Sequence, residues 1–271
     1  MQQITVATDR EIRRFGAGGG VAGALARRRY ASGGWSPPDP AHLQLWMNAQ
    51  VPASVHVTGG GVDSWTDQSQ NGFTATDVTG AGSRALYTAT GPMGKSVVDM
   101  VVPGVGAQLG VPDAPALNAT TLTVFFAGVR TTGASNSYAA TIAKTNEGAG
   151  NLGWSFGHRA SSTNFELWLN NDTSGGFSTS FTPTPDVYFC AAARYNGTTI
   201  SIWQGQTKLA DVAYAVPISN TNGQVGVSTN GTAGPHTPWV GKFLETSFYN
   251  TALSDFDVGS WLSRFHTDYG I

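Results

Sequence analysis

The sequence contains one cysteine, Cys190, in 271 residues. A single cysteine excludes an internal disulfide, so the chain does not belong with small secreted domains that depend on bridges for stability. Cys190 lies in the apolar run VYFCAAA. That setting favours a small buried side chain over a nucleophile.

Long apolar runs are also missing, and no membrane-spanning helix is predicted. Charged residues make up only 12%, and the net charge is −2. Six arginines against two acids give residues 1–30 a charge of +4, whereas the remainder holds nine basic and fifteen acidic residues and carries −6. A uniformly basic face for nucleic acid is therefore not indicated for the body of the chain.

Groups suited to catalysis and metal binding are few. The chain has four glutamates, and its five histidines show no H-x-x-x-H spacing. It has no G-x-S-x-G motif and no phosphate-binding loop. The sequence therefore predicts neither an enzyme nor a bound metal or cofactor.

Turn-forming residues, in contrast, are abundant, with 35 Gly and 13 Pro. From residue 41 onward, about a dozen short apolar or alternating runs are separated by turn clusters, which predicts an all-β sandwich or barrel of two sheets. The pair Asn196-Gly197 predicts a hairpin with a type I′ turn. One helix is predicted near the C-terminus, capped by Ser254 and packed over a sheet edge. Its apolar residues are Phe256, Trp261, Leu262 and Phe265.

The segment before residue 35 is predicted to be a separate arm. The stretch GGWSPPDP at 33–40 breaks any helix, so we divide the chain into an arm at 1–34 and a domain at 35–271. Two arm helices are predicted, each too short to be stable alone in water, and we expect them to lie on a partner. The arginines also fit a solvated helix end. The candidate anchoring residues are Ile12, Arg13, Arg14, Phe15, Leu25, Arg27, Arg28 and Arg29.

Four stretches of the body, taken in order, carry a family resemblance: LQLWMNA, VDSWTDQSQNGFTAT, DVYFCAAARYNGTTISIWQGQTKLA and VGKFLETSFYNTALSDFDVGSWLSRF. Over residues 41–271 the chain resembles the concanavalin A-like lectin/glucanase superfamily in its laminin-G-like form. The resemblance implies an antiparallel jelly-roll sandwich, a fold used by lectins, glycosidases, adhesins and structural proteins of bacteriophage virions. Hydrolytic members carry clustered carboxylates, whereas Glu166 has no acid two or four residues later.

The stretch SWTDQSQNG at 64–72 has two interpretations. Asp67, Ser69 and Asn71 alternate as in the first half of a calcium loop, but the twelfth position of that loop is Val78 where a bidentate acid is needed. The resemblance implies instead that Trp65 is a core residue followed by a self-bonded turn. A structural calcium near Asp67 is the alternative.

Lectins of this fold hold sugars with aromatic faces and with amide or acid side chains. Strand alternation places Trp168 and Trp203 on outward faces, where they would form a sugar platform, although loops or a neighbouring subunit would cover them equally well. The loop GPHTPWVG at 234–241 is a candidate rim or a rigid turn into the last strand. The candidate carbohydrate-binding residues are Glu166, Trp168, Asn170, Trp203, His236 and Trp239.

The leading hypothesis is a non-enzymatic structural protein of a bacteriophage virion, displayed on the exterior of the capsid or tail as a decoration, fibre or tail component. Its expected partners are other virion proteins, bound through the arm, and further copies of the chain. The first alternative is a carbohydrate-binding adhesin or lectin module for host surface glycans. The second is a degenerate glycoside hydrolase that uses Glu166. The assignment to a virus rests on analogy of fold.

Overall fold

The computed structural model describes residues 35–80, 82–101, 106–131, 139–146, 152–158, 163–170, 176–229 and 238–271. Within these residues, seventeen strands form a nine-stranded and an eight-stranded sheet, and their neighbours pair antiparallel. The chain is therefore an all-β sandwich, as its turn-rich sequence predicts. The predicted arm at 1–34, with all eight candidate anchoring residues, lies outside the described residues.

The strands are β1 (Leu43–Asn48), β2 (Val55–Thr58), β3 (Gly61–Thr66), β4 (Thr74–Asp77), β5 (Leu86–Thr88), β6 (Val97–Asp99), β7 (Leu109–Val111), β8 (Leu122–Arg130), β9 (Ala140–Asn146), β10 (Leu152–His158), β11 (Phe165–Leu169), β12 (Phe189–Tyr195), β13 (Thr199–Gln204), β14 (Thr207–Lys208), β15 (Val212–Ala213), β16 (Val225–Val227) and β17 (Gly241–Tyr249). The nine-stranded sheet has the order β14-β13-β12-β8-β17-β6-β5, with β1 beside β17 and β15 beside β13. The eight-stranded sheet has the order β11-β10-β9-β16-β7-β4-β3-β2.

The main core lies between the two sheets, and alternate side chains of the strands point into it. In β11, Phe165, Leu167 and Leu169 face this core, and in β13 Ile200 and Ile202 do the same. Successive side chains of a strand point to opposite faces, so the alternation visible in FELWLN and TISIW sets which residues are inside. The predicted inward residues of both strands are confirmed.

A single α-helix within the described residues, α1 (Asp255–Tyr269), covers the outer face of the nine-stranded sheet. Ser254 caps it by accepting a hydrogen bond from the amide of Asp257 at 3.1 Å, as predicted. Trp261 packs on Phe125 in the central strand β8, with ring centroids 4.9 Å apart. The helix therefore lies over the face of the sheet, and the prediction of an edge position was wrong.

One predicted apolar residue of α1 does not pack. Trp261, Leu262 and Phe265 are buried against the sheet, whereas Phe256 is 84% exposed. Because the apolar stripe of a helix recurs at three- and four-residue spacing, Val258 occupies the buried position of the first turn in place of Phe256. Phe256 is therefore an apolar residue on the exposed side of the helix.

The Asn196-Gly197 hairpin joins β12 to β13 as predicted, but its turn has a different type. Gly197 has a positive φ of 97°, and Asn196 is not among the residues with positive φ. A type I′ turn needs positive φ at both central residues, so that assignment was wrong. The Asn196 carboxamide oxygen instead accepts from the amides of Thr198 and Thr199, at 3.0 and 2.8 Å.

Cys190 lies on β12, on the face covered by α1, and its side chain is 1% exposed. Burial raises the pKa of its thiol to about 12, so the thiolate form is scarce at neutral pH. The interpretation of Cys190 as a small buried side chain is confirmed.

The contact between α1 and the sheet contains a buried ion pair. Glu245, in β17, is fully buried and accepts hydrogen bonds from the Arg264 guanidinium, from Trp46 Nε1 at 2.6 Å and from the Tyr269 hydroxyl at 2.8 Å. Burial lowers the pKa of Arg264, but the charge and hydrogen bond of Glu245, together with Tyr269 and Asp268, outweigh burial and raise that pKa overall. Arg264 therefore stays charged.

Aromatic rings surround the guanidinium of Arg264. Its central carbon lies 4.6 Å from the Trp35 ring centroid and 4.8 Å from those of Trp261 and Phe265. A guanidinium stacks favourably on aromatic faces because it is planar and weakly hydrated. Trp35, the first described residue, is therefore held against α1.

We expect the Glu245→Gln substitution to lower the free energy of unfolding by about 3–5 kcal/mol, because it leaves the Arg264 charge buried without its partner. Asp268→Asn is the matched control. Asp268 lies 3.5 Å from the other terminal nitrogen of Arg264 and is more exposed, so its loss should cost at most about 1 kcal/mol. Urea unfolding followed by tryptophan fluorescence measures both. Equal losses in the two variants would contradict a dominant buried pair.

Candidate functional site

The structure does not bring the predicted sugar-binding residues together. Trp168 is on β11 of the eight-stranded sheet, and Trp203 is on β13 of the nine-stranded sheet. Each points away from the main core, so the two side chains lie on opposite outer faces of the sandwich. A single platform built from both tryptophans is therefore excluded.

Trp203 is covered, with 3% of its surface exposed. The cations of Arg194 and Lys208 lie 5.2 and 5.3 Å from its ring centroid. Both cations also form ion pairs with Asp255 at the beginning of α1. Trp203 therefore helps to seat the helix, and its assignment as a sugar-binding residue was wrong.

Asn170 holds two neighbouring segments together. Its Nδ2 donates to the carbonyl oxygen of Pro217 at 2.7 Å, and its Oδ1 accepts from the amide of Ser219 at 2.8 Å. Its own φ is 49°, in the left-handed region that asparagine tolerates better than most residues. Since both ends of the carboxamide are bonded to the chain itself, Asn170 has a structural role.

Trp239 is fully buried, and its assignment as a rim residue was wrong. Its ring lies between the sheets, 5.5 Å from Phe126 and 5.4 Å from Phe165 by ring centroids. Trp239, in the Pro-rich stretch before β17, is therefore part of the core. The neighbouring candidate, His236, lies outside the described residues.

A different set of residues does line up on one surface, the outer face of the eight-stranded sheet. Residues that pair across strands form one continuous line over this face, which we call the transverse row. The row consists of His56, Ser64, Thr76, Gly110, Gly226, Ala143, Ser155, Trp168 and Phe177. It crosses all eight strands, and paired residues share a face of the sheet.

The middle of the transverse row has almost no side chains. Gly110, Gly226 and Ala143 occupy three adjacent strands, and Ser155 follows on the fourth. Neighbouring strands are about 4.8 Å apart, so the part of the row from Gly110 to Ser155 is about 14 Å long. The amide of Gln224 crosses it at one point, because a Cβ built on Gly110 would lie 2.4 Å from Gln224 Oε1. Any side chain at 110 would displace Gln224.

The two ends of the transverse row differ in chemistry. At one end Trp168 packs with Ala140, Ala143 and Phe177 in a small apolar cluster. At the other end the face is exposed or half-exposed and carries an imidazole and four hydroxyls. These residues are His56, Ser64, Thr66, Thr74 and Thr76. Gly110, Gly226, Ala143, Ser155 and Trp168 are buried, whereas the hydroxyl-rich end of the row is exposed to solvent.

Two further polar residues lie on this face near Trp168. The hydroxyl of Ser155 is fully buried and has no hydrogen-bond partner within the described part of the chain. Glu166 lies two residues before Trp168 on β11, pairs with Gly157 and is 4% exposed. Glu166 and Trp168 are thus the two predicted site residues that the structure places together on one surface.

Asp67 forms a self-bonded turn, as the resemblance implies. Its Oδ1 accepts from the amides of Trp46 and Ser69, at 2.6 and 2.7 Å, and its Oδ2 accepts from the Ser69 hydroxyl and the amide of Phe73. Burial raises the pKa of Asp67, and these four hydrogen bonds oppose that rise. Both oxygens are thus occupied by donors, and Trp65 before them is fully buried in the core. Within the described residues, no three metal-binding side chains cluster.

The described residues define a two-sheet antiparallel β-sandwich. No family model and no curated protein matches the sequence. The fold resembles several solved structures, among them these three. The binding domain of Paraclostridial Mosquitocidal Protein 1 has 11% identity and a TM-score of 0.57 over 83% of this chain and 53% of that one. Domain 4 of AbnA, a GH43 arabinanase from Geobacillus stearothermophilus in complex with arabinotriose, has 13% identity and a TM-score of 0.54 over 80% and 97%.

The third is botulinum neurotoxin type C, whose cell entry depends on two ganglioside molecules, with 9% identity and a TM-score of 0.57 over 83% and 51%. The chain therefore spans about half the length of the two toxin domains. At these identities the likeness concerns the fold. Among the described residues, no helix has the length and apolar character needed to cross a membrane.

His158 generates a prediction about acid stability. Burial lowers its pKa to about 3, and the charge of Arg130 acts in the same direction. The unfolded chain takes up this proton near pH 6.5. Above about pH 6.5, His158 therefore takes nothing from the free energy of unfolding. As the pH falls from about 6.5 toward 3, the low pKa of His158 reduces the free energy of unfolding by at most about 1.4 kcal/mol per pH unit.

The His158→Phe variant should show a shallower loss of stability between pH 6 and pH 4 than the unmodified protein. Thermal unfolding across that range provides the measurement, and His56→Phe, at an exposed site, is the matched control. Identical pH profiles for His158→Phe and the unmodified protein would show that His158 does not contribute.

Proposed function

We propose that this domain binds carbohydrate, without catalysis, on the outer face of its eight-stranded sheet. The observation that supports it is the transverse row, where strand pairing aligns Trp168, through residues with small side chains, with an exposed cluster of hydroxyls. Sugars present both apolar ring faces and hydroxyl groups, so a site for them combines an aromatic surface with convergent hydrogen-bonding groups. The arabinotriose complex of the AbnA domain and the gangliosides of the neurotoxin favour the same class of ligand.

The absence of catalysis is part of the proposal and follows from the carboxylates. Hydrolysis with retention needs two carboxyl groups about 5 Å apart. On this face Glu166 pairs with Gly157, and the residues two and four places after Glu166 are Trp168 and Asn170. Glu245, the other glutamate within the described residues, is bound by Arg264 beneath α1 on the opposite sheet.

A long side chain at the exposed end of the transverse row should abolish glycan binding without unfolding the protein. Thr76 is exposed and pairs with Gly110 in this row, so the Thr76→Arg variant places a long side chain among the exposed hydroxyls. We expect its affinity for oligosaccharides to fall at least tenfold, measured by isothermal titration with ligands selected on a glycan array.

The control for this experiment is Thr207→Arg. Thr207 is also an exposed threonine on a strand, but it belongs to β14 at the edge of the nine-stranded sheet. The control should bind as the unmodified protein does. If both variants bind equally well, the outer face of the eight-stranded sheet is not the site.

A second part of the proposal concerns display on a bacteriophage virion. The +4 charge of residues 1–30 contrasts with the −6 of the remaining chain, which suits an arm that contacts a partner. Trp35, where the domain begins, packs against Trp261 of α1 with ring centroids 4.8 Å apart. Trp35 thus lies on the side of the nine-stranded sheet, and the transverse row faces the other way. This arrangement fits attachment through one face and exposure of the other on the particle exterior.

Deletion of residues 1–34 tests this attachment. The shortened protein should fold, keep its glycan affinity and fail to join the particle, as measured by its copy number in purified virions. The unmodified protein, expressed at the same level, is the control. Normal incorporation of the shortened protein would contradict an anchoring role for the arm.

A further inference from the structure

One end of the sandwich interior holds a cluster of polar side chains, which we call the end cluster: Arg130, His158, Thr229 and Trp239. Arg130 ends β8 on the same inward-facing side as Phe126, and His158 ends β10 on the same inward-facing side as Phe156. The His158 and Trp239 ring centroids are 4.7 Å apart. The Ser228 hydroxyl, one residue before Thr229, donates to the carbonyl oxygen of Trp239.

The end cluster concentrates buried polar atoms that lack hydrogen bonds. Within the described residues, no partner is found for Arg130 Nε and Nη1, His158 Nε2, Thr229 Oγ1 or Trp239 Nε1. All four residues are less than a tenth exposed. Leaving one buried donor unpaired costs free energy, and native proteins leave few. Five such atoms at one end of the fold therefore call for an explanation other than stability.

Arg130 carries a positive charge at this end, with the acidic Asp186 nearby. Burial lowers the pKa of Arg130 and the charge of Asp186 opposes this in part, and the guanidinium remains charged at neutral pH. His158, with a pKa of about 3, is neutral there. Of the unpaired atoms, the two on Arg130 and the one on Trp239 can only donate. Arg130 as a whole residue is 7% exposed, and its two unpaired nitrogens are buried.

We propose that the end cluster binds an acidic sugar, with the sugar carboxylate on Arg130 and neighbouring sugar oxygens on Trp239 and Thr229. A bare carboxylate is a poorer match, because Nε and Nη1 belong to different edges of the planar guanidinium and one carboxylate cannot bridge them. An acidic sugar carries a carboxylate together with hydroxyl and ring oxygens. It can therefore satisfy donors that point in different directions.

This inference rests on the proposed carbohydrate-binding function but uses a separate place on the molecule. The end cluster faces the interior between the sheets, whereas the transverse row lies on the outer face of one sheet. The Thr76→Arg variant should consequently leave acidic-sugar binding at the end cluster unchanged. Loss of neutral-glycan binding and loss of acidic-sugar binding can thus be observed independently.

The experiment uses the full chain with three probes: glucuronate, glucose and acetate. Glucuronate should raise the melting temperature by several degrees and bind in isothermal titration, and the other two should bind at least tenfold more weakly. The Arg130→Met variant should lose the glucuronate response. Its melting temperature without ligand should stay the same or rise, because an apolar side chain replaces a buried charge with unpaired donors.

Two further variants complete the test. Arg84→Met is the matched control, since Arg84 pairs with Asp77 away from the end cluster, and it should bind glucuronate normally. Arg130→Lys keeps the charge without the planar guanidinium, so it should fold and bind glucuronate at least tenfold more weakly. Arg130→Lys also tests the proposal if Arg130→Met does not fold.

Three results would overturn the inference. The first is the absence of any glucuronate response in the unmodified protein, and the second is acetate binding as strong as that of glucuronate. The third is a lower melting temperature in both Arg130 variants with unchanged glucuronate affinity, which would make Arg130 a structural residue only.

Discussion

The buried pair of Glu245 and Arg264 fixes how the molecule is arranged around its nine-stranded sheet. Through Trp46, Tyr269 and the Trp35 ring, it joins β1, β17, α1 and the beginning of the domain at one point. A buried charge needs its partner, so none of these elements can shift without exposing it to an unfavourable environment. The position of α1 on the face of the sheet follows from this constraint.

The same constraint leaves the two outer faces of the sandwich unequal. One face is closed by α1, whose aromatic rings stack on the sheet from Phe125 to Tyr249. On the opposite face, the small residues and Trp168 of the transverse row are buried, and hydroxyl groups are exposed at one end. The proposed attachment through one face and ligand binding on the other would use this inequality, which α1 provides.

Much of the fold is predictable from short-range patterns in the sequence. Alternation identifies the inward residues of β11 and β13, Ser254 marks the beginning of α1, and Trp65 with Asp67 identifies a core residue and its turn. Each of these depends on residues close together in the chain. The turn at Asn196 shows the limit, since the pair predicts a hairpin but its side chain, by bonding two amides ahead, determines the turn geometry.

The candidate binding surface is less predictable because it depends on which strands become neighbours. Alternation correctly directs Trp168 and Trp203 away from the main core, but it does not tell which sheet each strand joins, and the two lie on opposite faces. The transverse row consists of residues from eight strands, and Gly110 and Gly226 carry no chemical signal in the sequence. Trp239 is in a Pro-rich stretch without alternation, so its burial depends on contacts with Phe126 and Phe165 that only the folded chain supplies.

Cys190, beneath α1, also has a practical consequence. Maleimide reagents attack thiolates, and the buried, high-pKa thiol of Cys190 supplies few of them. Because the sequence has no other cysteine, a new one engineered on the surface would be the one readily labelled position of the native protein. Fluorescent or spin probes can therefore be attached beside the exposed end of the transverse row or near the end cluster without first removing the natural thiol.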